Sequence, residues 1–117
     1  MTDRSMQEPT LLLLTALADA PRHGYALLQE VSVISGGRVK LRAGTLYGAL
    51  ERLLKQGLVR VEGEEVVAGR ARRTFGLTEG GREVLAAEAE RLRAVVAEAD
   101  RRLSSARAAK LRPGYAS

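Results

Sequence analysis

Ala43-Gly44-Thr45-Leu46-Tyr47-Gly48-Ala49-Leu50-Glu51-Arg52-Leu53-Leu54-Lys55-Gln56-Gly57-Leu58-Val59 reads as a helix, a stop and the start of a strand. Leu46, Leu50, Leu53 and Leu54 recur at i, i+4, i+7 and i+8, which makes one apolar face of a helix over residues 43–56. At about 100° per residue, Thr45, Gly48, Arg52 and Lys55 fall on the opposite face. Gly57 suits the C-terminal stop, where a left-handed residue closes the last turn. Leu58-Val59-Arg60-Val61-Glu62 and Arg72-Arg73-Thr74-Phe75-Gly76-Leu77 then read as two strands. The residues between them, 63–71, are expected to be a polar loop, long for a tight hairpin.

Working outward, Pro9 fits the first turn of an earlier helix whose Leu11, Leu12, Leu13, Leu14, Ala16 and Leu17 are apolar nearly all round. Such a helix needs cover on more than one side. Ala20-Pro21 ends it, and a second helix is expected over residues 24–35, with Leu27, Leu28, Val31 and Ile34 on its inner face. Gly36-Gly37 stops that helix, and Arg38-Val39-Lys40-Leu41-Arg42 alternates basic and apolar with the period of a short half-buried strand. Downstream, Thr78 with Glu79 caps a last helix expected to reach residue 108. Thirty residues would span roughly 45 Å, longer than a compact globule of this size, so part of the helix should project or pack on another subunit. Leu85, Ala89, Leu92, Val96, Ala99, Leu103 and Ala106 follow at spacings of four and three, the seam of a coiled coil.

The order helix, helix, short strand, helix, hairpin is that of a winged helix-turn-helix. The fold class is therefore mainly α with a small β-hairpin, plus a long C-terminal dimerisation helix. The expected divisions are a flexible N-terminus over 1–8, the DNA-binding domain over 9–78, the dimerisation helix over 79–108 and a disordered tail over 109–117. A length of 117 residues supports one such domain.

Composition narrows the function. Apolar residues make up 45% and charged residues 28%, which suits a folded chain, and no apolar run approaches the ~20 residues of a membrane span. Thr2-Asp3-Arg4-Ser5 lacks the order of a secretory leader, so a cytoplasmic, nucleoid-associated protein is expected. There is no cysteine and only one histidine, His23, which removes thiol chemistry and most metal sites. No enzyme activity and no cofactor are expected. The net charge is +5, and residues 38–73, with nine bases against four acids, carry a net charge of the same size. A basic centre on a small domain fits a polyanion, with double-stranded DNA as the expected partner. The alternative is a winged helix that binds an acidic protein and no specific DNA.

On the DNA-binding reading, the third helix enters the major groove and the hairpin flanks it. Thr45, Arg52 and Lys55 then face bases or phosphates, and Lys40 and Arg42 lie just before the helix. Arg70, Arg72 and Arg73 at the loop suit phosphates or a minor-groove edge. Leu85, Ala89, Leu92, Val96, Ala99 and Leu103 are assigned to a homodimer interface, together with Leu11 and Leu14 of the first helix. The cleft lined by residues 11–17 and the last helix is a candidate site for a small hydrophobic or phenolic effector.

His23-Gly24-Tyr25, Gly44-Thr45-Leu46-Tyr47, Leu50-Glu51-Arg52-Leu53, Gly57-Leu58-Val59 and Leu77-Thr78-Glu79-Gly80-Gly81 together resemble the PadR family of transcriptional regulators, in its short form with a single C-terminal helix. The resemblance spans about residues 10–105. It implies a homodimer that represses transcription at palindromic operators and is released by a small molecule or another signal. It also implies that Tyr25 and Tyr47 reach DNA phosphates, whereas packing between helices is the structural alternative for both. His23 reads as a capping or packing residue, with a catalytic or pH-sensing role as the rival. Gly48 stands where the family usually has proline; it lets the helix backbone come close to DNA at a cost of about 1 kcal/mol against alanine.

Overall fold

Local signals place the helices where periodicity puts them. In the computed structural model, which describes residues 6–111, α1 spans Glu8–Ala16, α2 Gly24–Ile34, α3 Ala43–Lys55 and α4 Glu79–Lys110. A three-stranded antiparallel sheet has the order β1-β3-β2, with β1 at Arg22–His23, β2 at Val59–Val67 and β3 at Arg70–Leu77. The fold is the expected one, mostly helical with a small sheet and a long last helix. α1 takes in Glu8, expected in the flexible N-terminus, and α4 takes in Ala109 and Lys110, expected in the disordered tail. The rest of those two expectations, over residues 1–5 and 112–117, lies outside the described residues.

The chain divides into two compact units, residues 1–86 and 87–117. The first holds the core. Leu13, Leu14 and Leu17 are fully buried with Leu27 and Val31 of α2, Leu46, Leu50 and Leu53 of α3, and Phe75 of β3. α1 is thus covered on several sides, as its leucine run demands. At its N-terminal end Arg38 hydrogen-bonds Glu8, and this guanidinium holds the Glu8 carboxyl below the usual carboxylate range.

Two strand expectations need correction. Arg38–Arg42 joins no ladder: Val39 and Leu41 pack on the core while Lys40 and Arg42 stay exposed. Alternation reports a half-buried extended backbone, and pairing needs a neighbour that alternation does not supply. The third strand comes instead from Arg22–His23, which pairs with Phe75 and Thr74. The polar loop over 63–71 is also absent. The ladder continues to Val67 opposite Arg70, leaving only Ala68 and Gly69 in the turn, both at positive φ. Such a two-residue turn matches the strand twist, and a register shift between Val61 and Gly63 absorbs one extra residue.

A backbone interlock joins α3, the sheet and α4. Gly57 is left-handed (φ 75°), and Leu58 N–H donates to Leu53 O at 3.0 Å, closing α3. Thr78 Oγ1 donates to Gly57 O at 2.7 Å and accepts from Gly81 N–H at 2.9 Å, capping α4. Gly81 is buried, and a Cβ there would collide with the Leu58 carbonyl oxygen. Backbone cannot swing aside as a side-chain tip can. Gly81→Ala is therefore expected to cost about 1–3 kcal/mol, read as a lowered midpoint in thermal or urea unfolding.

Candidate nucleic-acid interface

α3 presents its apolar face, Leu46, Ala49, Leu50 and Leu53, to the core. Centred on the opposite side at about 100° per residue are Gly44, Gly48, Glu51 and Lys55, all exposed. Thr45 and Arg52 lie on one flank of this stripe and Tyr47 on the other. Thr45 is exposed. Arg52 is turned along the flank: its Nη2 donates to Thr10 Oγ1 of α1 at 3.0 Å. Its guanidinium thus sits at the α1 edge of α3 instead of the middle of the outward face.

On the other flank an open cleft of about 320 Å3 runs between the start of α2, Tyr47 and the hairpin tip. Tyr25, Tyr47, Arg70 and Arg72 line it together with His23 and Gly24. Tyr25 is 66% exposed and Tyr47 43%, so both hydroxyl-bearing rings are available at the surface. Tyr47 also packs, its ring centroid 6.5 Å from that of Phe75 at a tilt of 59°. The two readings of Tyr47, packing and surface contact, are therefore compatible. His23 stands at the N-cap of α2 without a side-chain capping bond, and its Nδ1 is buried without a hydrogen-bond partner. Packing, and not capping, describes it.

The three hairpin arginines do not act as one cluster. Residues two apart share a sheet face, so Arg73 lies on the side of buried Phe75, whereas Arg70 and Arg72 alternate with it. Arg73 Nη2 reaches Glu51 Oε1 at 3.5 Å, and its guanidinium carbon sits 5.3 Å from the Phe75 ring centroid. Glu64 and Glu65 face Arg73 and Arg72 across the ladder, which tempers the positive charge of the wing. Lys40 and Arg42 are exposed on the segment leading into α3, and Arg42 is its N-cap residue. Tyr25, Tyr47, Arg70 and Arg72 are thus brought to one cleft, with the α3 stripe beside it. Glu51 was not among the residues singled out from sequence; its 56%-exposed side chain sits amid the stripe. The signal was present, since Glu51 lies three residues beyond Gly48 and four before Lys55, but a carboxylate is easily passed over on a basic face.

The expected dimer residues fall into two groups. Leu14 is fully buried in the core of its own unit, as are Leu13 and Leu17, and Leu12 nearby is buried too. Leu14 therefore has no surface to offer a partner, nor can these leucines line an effector cleft. The leucine run is too apolar for one face, and the chain's own α2, α3 and sheet already cover it. Leu11 remains half-buried, and Leu85 packs against the same core. In the second unit Ala89, Leu92, Val96, Ala99 and Leu103 share a face of α4, with Val96 57% and Leu103 70% exposed. A shallow groove on that helix is lined by Ala89, Leu92, Val96 and Ala97, with Arg93 and Asp100 also lining it. Among the described residues no helix is long and apolar enough to cross a membrane.

Residues 13–87 match the model of the transcriptional regulator PadR-like family. An uncharacterized 37.1 kDa protein of transposon TN4556 from Streptomyces fradiae is 49% identical over 79 residues, which is 68% of this chain and 21% of that protein. The transcriptional regulator Rv3488 of Mycobacterium tuberculosis is 45% identical over 75 residues, 64% of this chain and 66% of that one. The chain thus spans a fifth to two thirds of the length of these relatives. The crystal structure of Bacillus subtilis PadR in complex with operator DNA superposes with a TM-score of 0.60 at 16% identity, covering 68% of this chain and 46% of that one. At that identity the likeness is one of fold.

Proposed function

The chain belongs to the PadR-like family of transcriptional regulators, and from that premise we propose that it binds double-stranded DNA as a homodimeric repressor at a palindromic operator. The observation that carries this reading is the juxtaposition of an exposed α3 stripe with a cleft holding Tyr25, Tyr47, Arg70 and Arg72. Gly44 and Gly48 bring the α3 backbone close to base edges, for a Cβ at either would meet no atom within 4 Å. Arg70, Arg72, Lys40 and Arg42 neutralise phosphates, and Arg52, held on the α1 edge, contacts the backbone beside the groove. The operator complex of the Bacillus protein of like fold supports the same use of this fold.

Two copies associate through the exposed apolar face of α4, from Ala89 to Leu103, and the twofold axis sets the half-site spacing. Residues 9–78 then act as the DNA-binding domain and α4 as the dimerisation element, in the cytoplasm at the nucleoid. A small hydrophobic or phenolic effector, if it releases the repressor, binds along α4 and not among the buried leucines of α1. The test is selection of bound sequences from randomised duplexes at stated salt. A palindromic consensus and an affinity that falls steeply with salt are expected. Enrichment of no sequence, with tight binding to an acidic protein, would favour the interaction-module alternative.

One local prediction follows for the cleft. A Cβ on Gly24 would lie 2.7 Å from Tyr47 Cζ and closer still to its hydroxyl, so Gly24→Ala must push the Tyr47 ring out of place. Alanine is otherwise welcome at a helix start. DNA affinity is expected to fall about tenfold with the unfolding midpoint nearly unchanged; titration against labelled duplex beside a melting curve checks both.

A further inference from the structure

We propose that Glu51 is a specificity-determining residue that reads cytosine in the major groove, and that Arg73 is the residue that positions it. The inference rests on the DNA-binding reading above and deepens it. Gly44, Gly48, Glu51 and Lys55 succeed one another at spacings of four, three and four, a straight line down the outward side of α3. The two glycines bear no side chain, and nothing lies above them within 4 Å. Glu51 is therefore the first long side chain met along the stripe from the helix N-terminus. A carboxylate only accepts hydrogen bonds, so phosphates and the acceptor edge of guanine repel it. Two groups on the major-groove floor donate, the exocyclic amines of adenine and cytosine; adenine's lies beside its N7 acceptor, which repels a carboxylate, so cytosine's is the matched donor.

Arg73 supplies what a carboxylate needs to approach a polyanion. Its Nη2 stands 3.5 Å from Glu51 Oε1, on the hairpin side of the stripe. The guanidinium is itself seated over the fully buried Phe75 ring, 5.3 Å from the centroid. The wing thus fixes the carboxylate's direction and offsets its charge, leaving the second oxygen for a base. Arg73 takes this role in place of the phosphate contact that Arg70 and Arg72 make.

The test is the same selection from randomised duplexes, run on the full chain as wild type, Glu51→Gln, Arg73→Ala and the double variant, each checked by its melting midpoint. Wild type is expected to select cytosine at one position of each half-site. In Glu51→Gln that preference should drop roughly tenfold and move toward adenine, which an amide recognises, while the other positions keep theirs. Arg73→Ala should weaken the cytosine preference at that position, and should add nothing there once Glu51 is already Gln. Should Gln be tolerated as a cytosine reader, Glu51→Ala must still abolish the preference at that position. The same consensus in wild type and both Glu51 variants overturns the proposal, as does a uniform gain on all duplexes, which would make Glu51 a repelling surface charge. Failure of wild type to enrich any sequence is a different result and removes the DNA-binding reading itself.

Discussion

Leu92→Glu together with Val96→Glu is expected to turn a dimer into a monomer at micromolar concentration and to lower operator affinity by two or more orders of magnitude. These residues stand four apart on the α4 face that includes Ala99 and Leu103. A carboxylate buried there without a partner would cost several kcal/mol, and a symmetric interface would carry each substitution twice. The effect on DNA follows from geometry. One winged helix makes few base contacts, whereas two held on a rigid axis bind the second half-site almost intramolecularly. The leucine core of the first unit lies among α1, α2, α3 and the sheet, so the helical signal should persist. Light scattering and a titration on a palindrome check the two halves. A double variant that still dimerises, or a wild-type monomer that binds the palindrome tightly, would sink the α4 interface.

The second large effect is expected from the wing. Arg70→Ala with Arg72→Ala should weaken binding to every duplex, roughly tenfold to a hundredfold near 0.1 M salt, because phosphate contacts carry no sequence information. The slope of log affinity against log salt should flatten by nearly one unit for each phosphate that is no longer neutralised. Both side chains are exposed and line the Tyr25–Tyr47 cleft, so the fold should not suffer. Arg73→Ala should behave differently, since its guanidinium is engaged by Glu51 and Phe75. It should change base preference more than salt slope. If the double variant keeps the wild-type slope while folded, the wing does not touch phosphate.

On the proposed function, dimerisation would use the apolar face of α4 in the second unit, and DNA contact the α3 stripe with the adjoining cleft in the first. Only the latter depends on the packing around Phe75. This one buried ring packs beside two residues of the candidate interface, Tyr47, with ring centroids 6.5 Å apart, and Arg73, whose guanidinium carbon is 5.3 Å from the centroid.

Wherever a feature depends on neighbours along the chain, the sequence by itself determined it. The leucine spacing defines the inner face of α3; Gly57 ends that helix, Thr78 caps the next, and the HGY and GTLY elements mark the family. Each is a local matter of helical period, left-handed backbone or a hydroxyl within three residues of an amide. What crosses the chain was decided only by the tertiary structure. The alternating Arg38–Arg42 reads as a strand but finds no partner, while Arg22–His23, two residues with no strand signal, pairs with β3 across some fifty residues of sequence. The wing reaches Val67 and Arg70 because cross-strand pairing extends charged segments that no propensity would make strands. Arg52 turns to Thr10 across 42 positions and Arg73 to Glu51 across 22. Leu14 disappears into its own core by the same kind of contact. Periodicity tells which side of an element is apolar, but which distant group then meets each side chain depends on how the elements pack, and at this surface that packing ties Arg52 to Thr10 and Arg73 to Glu51.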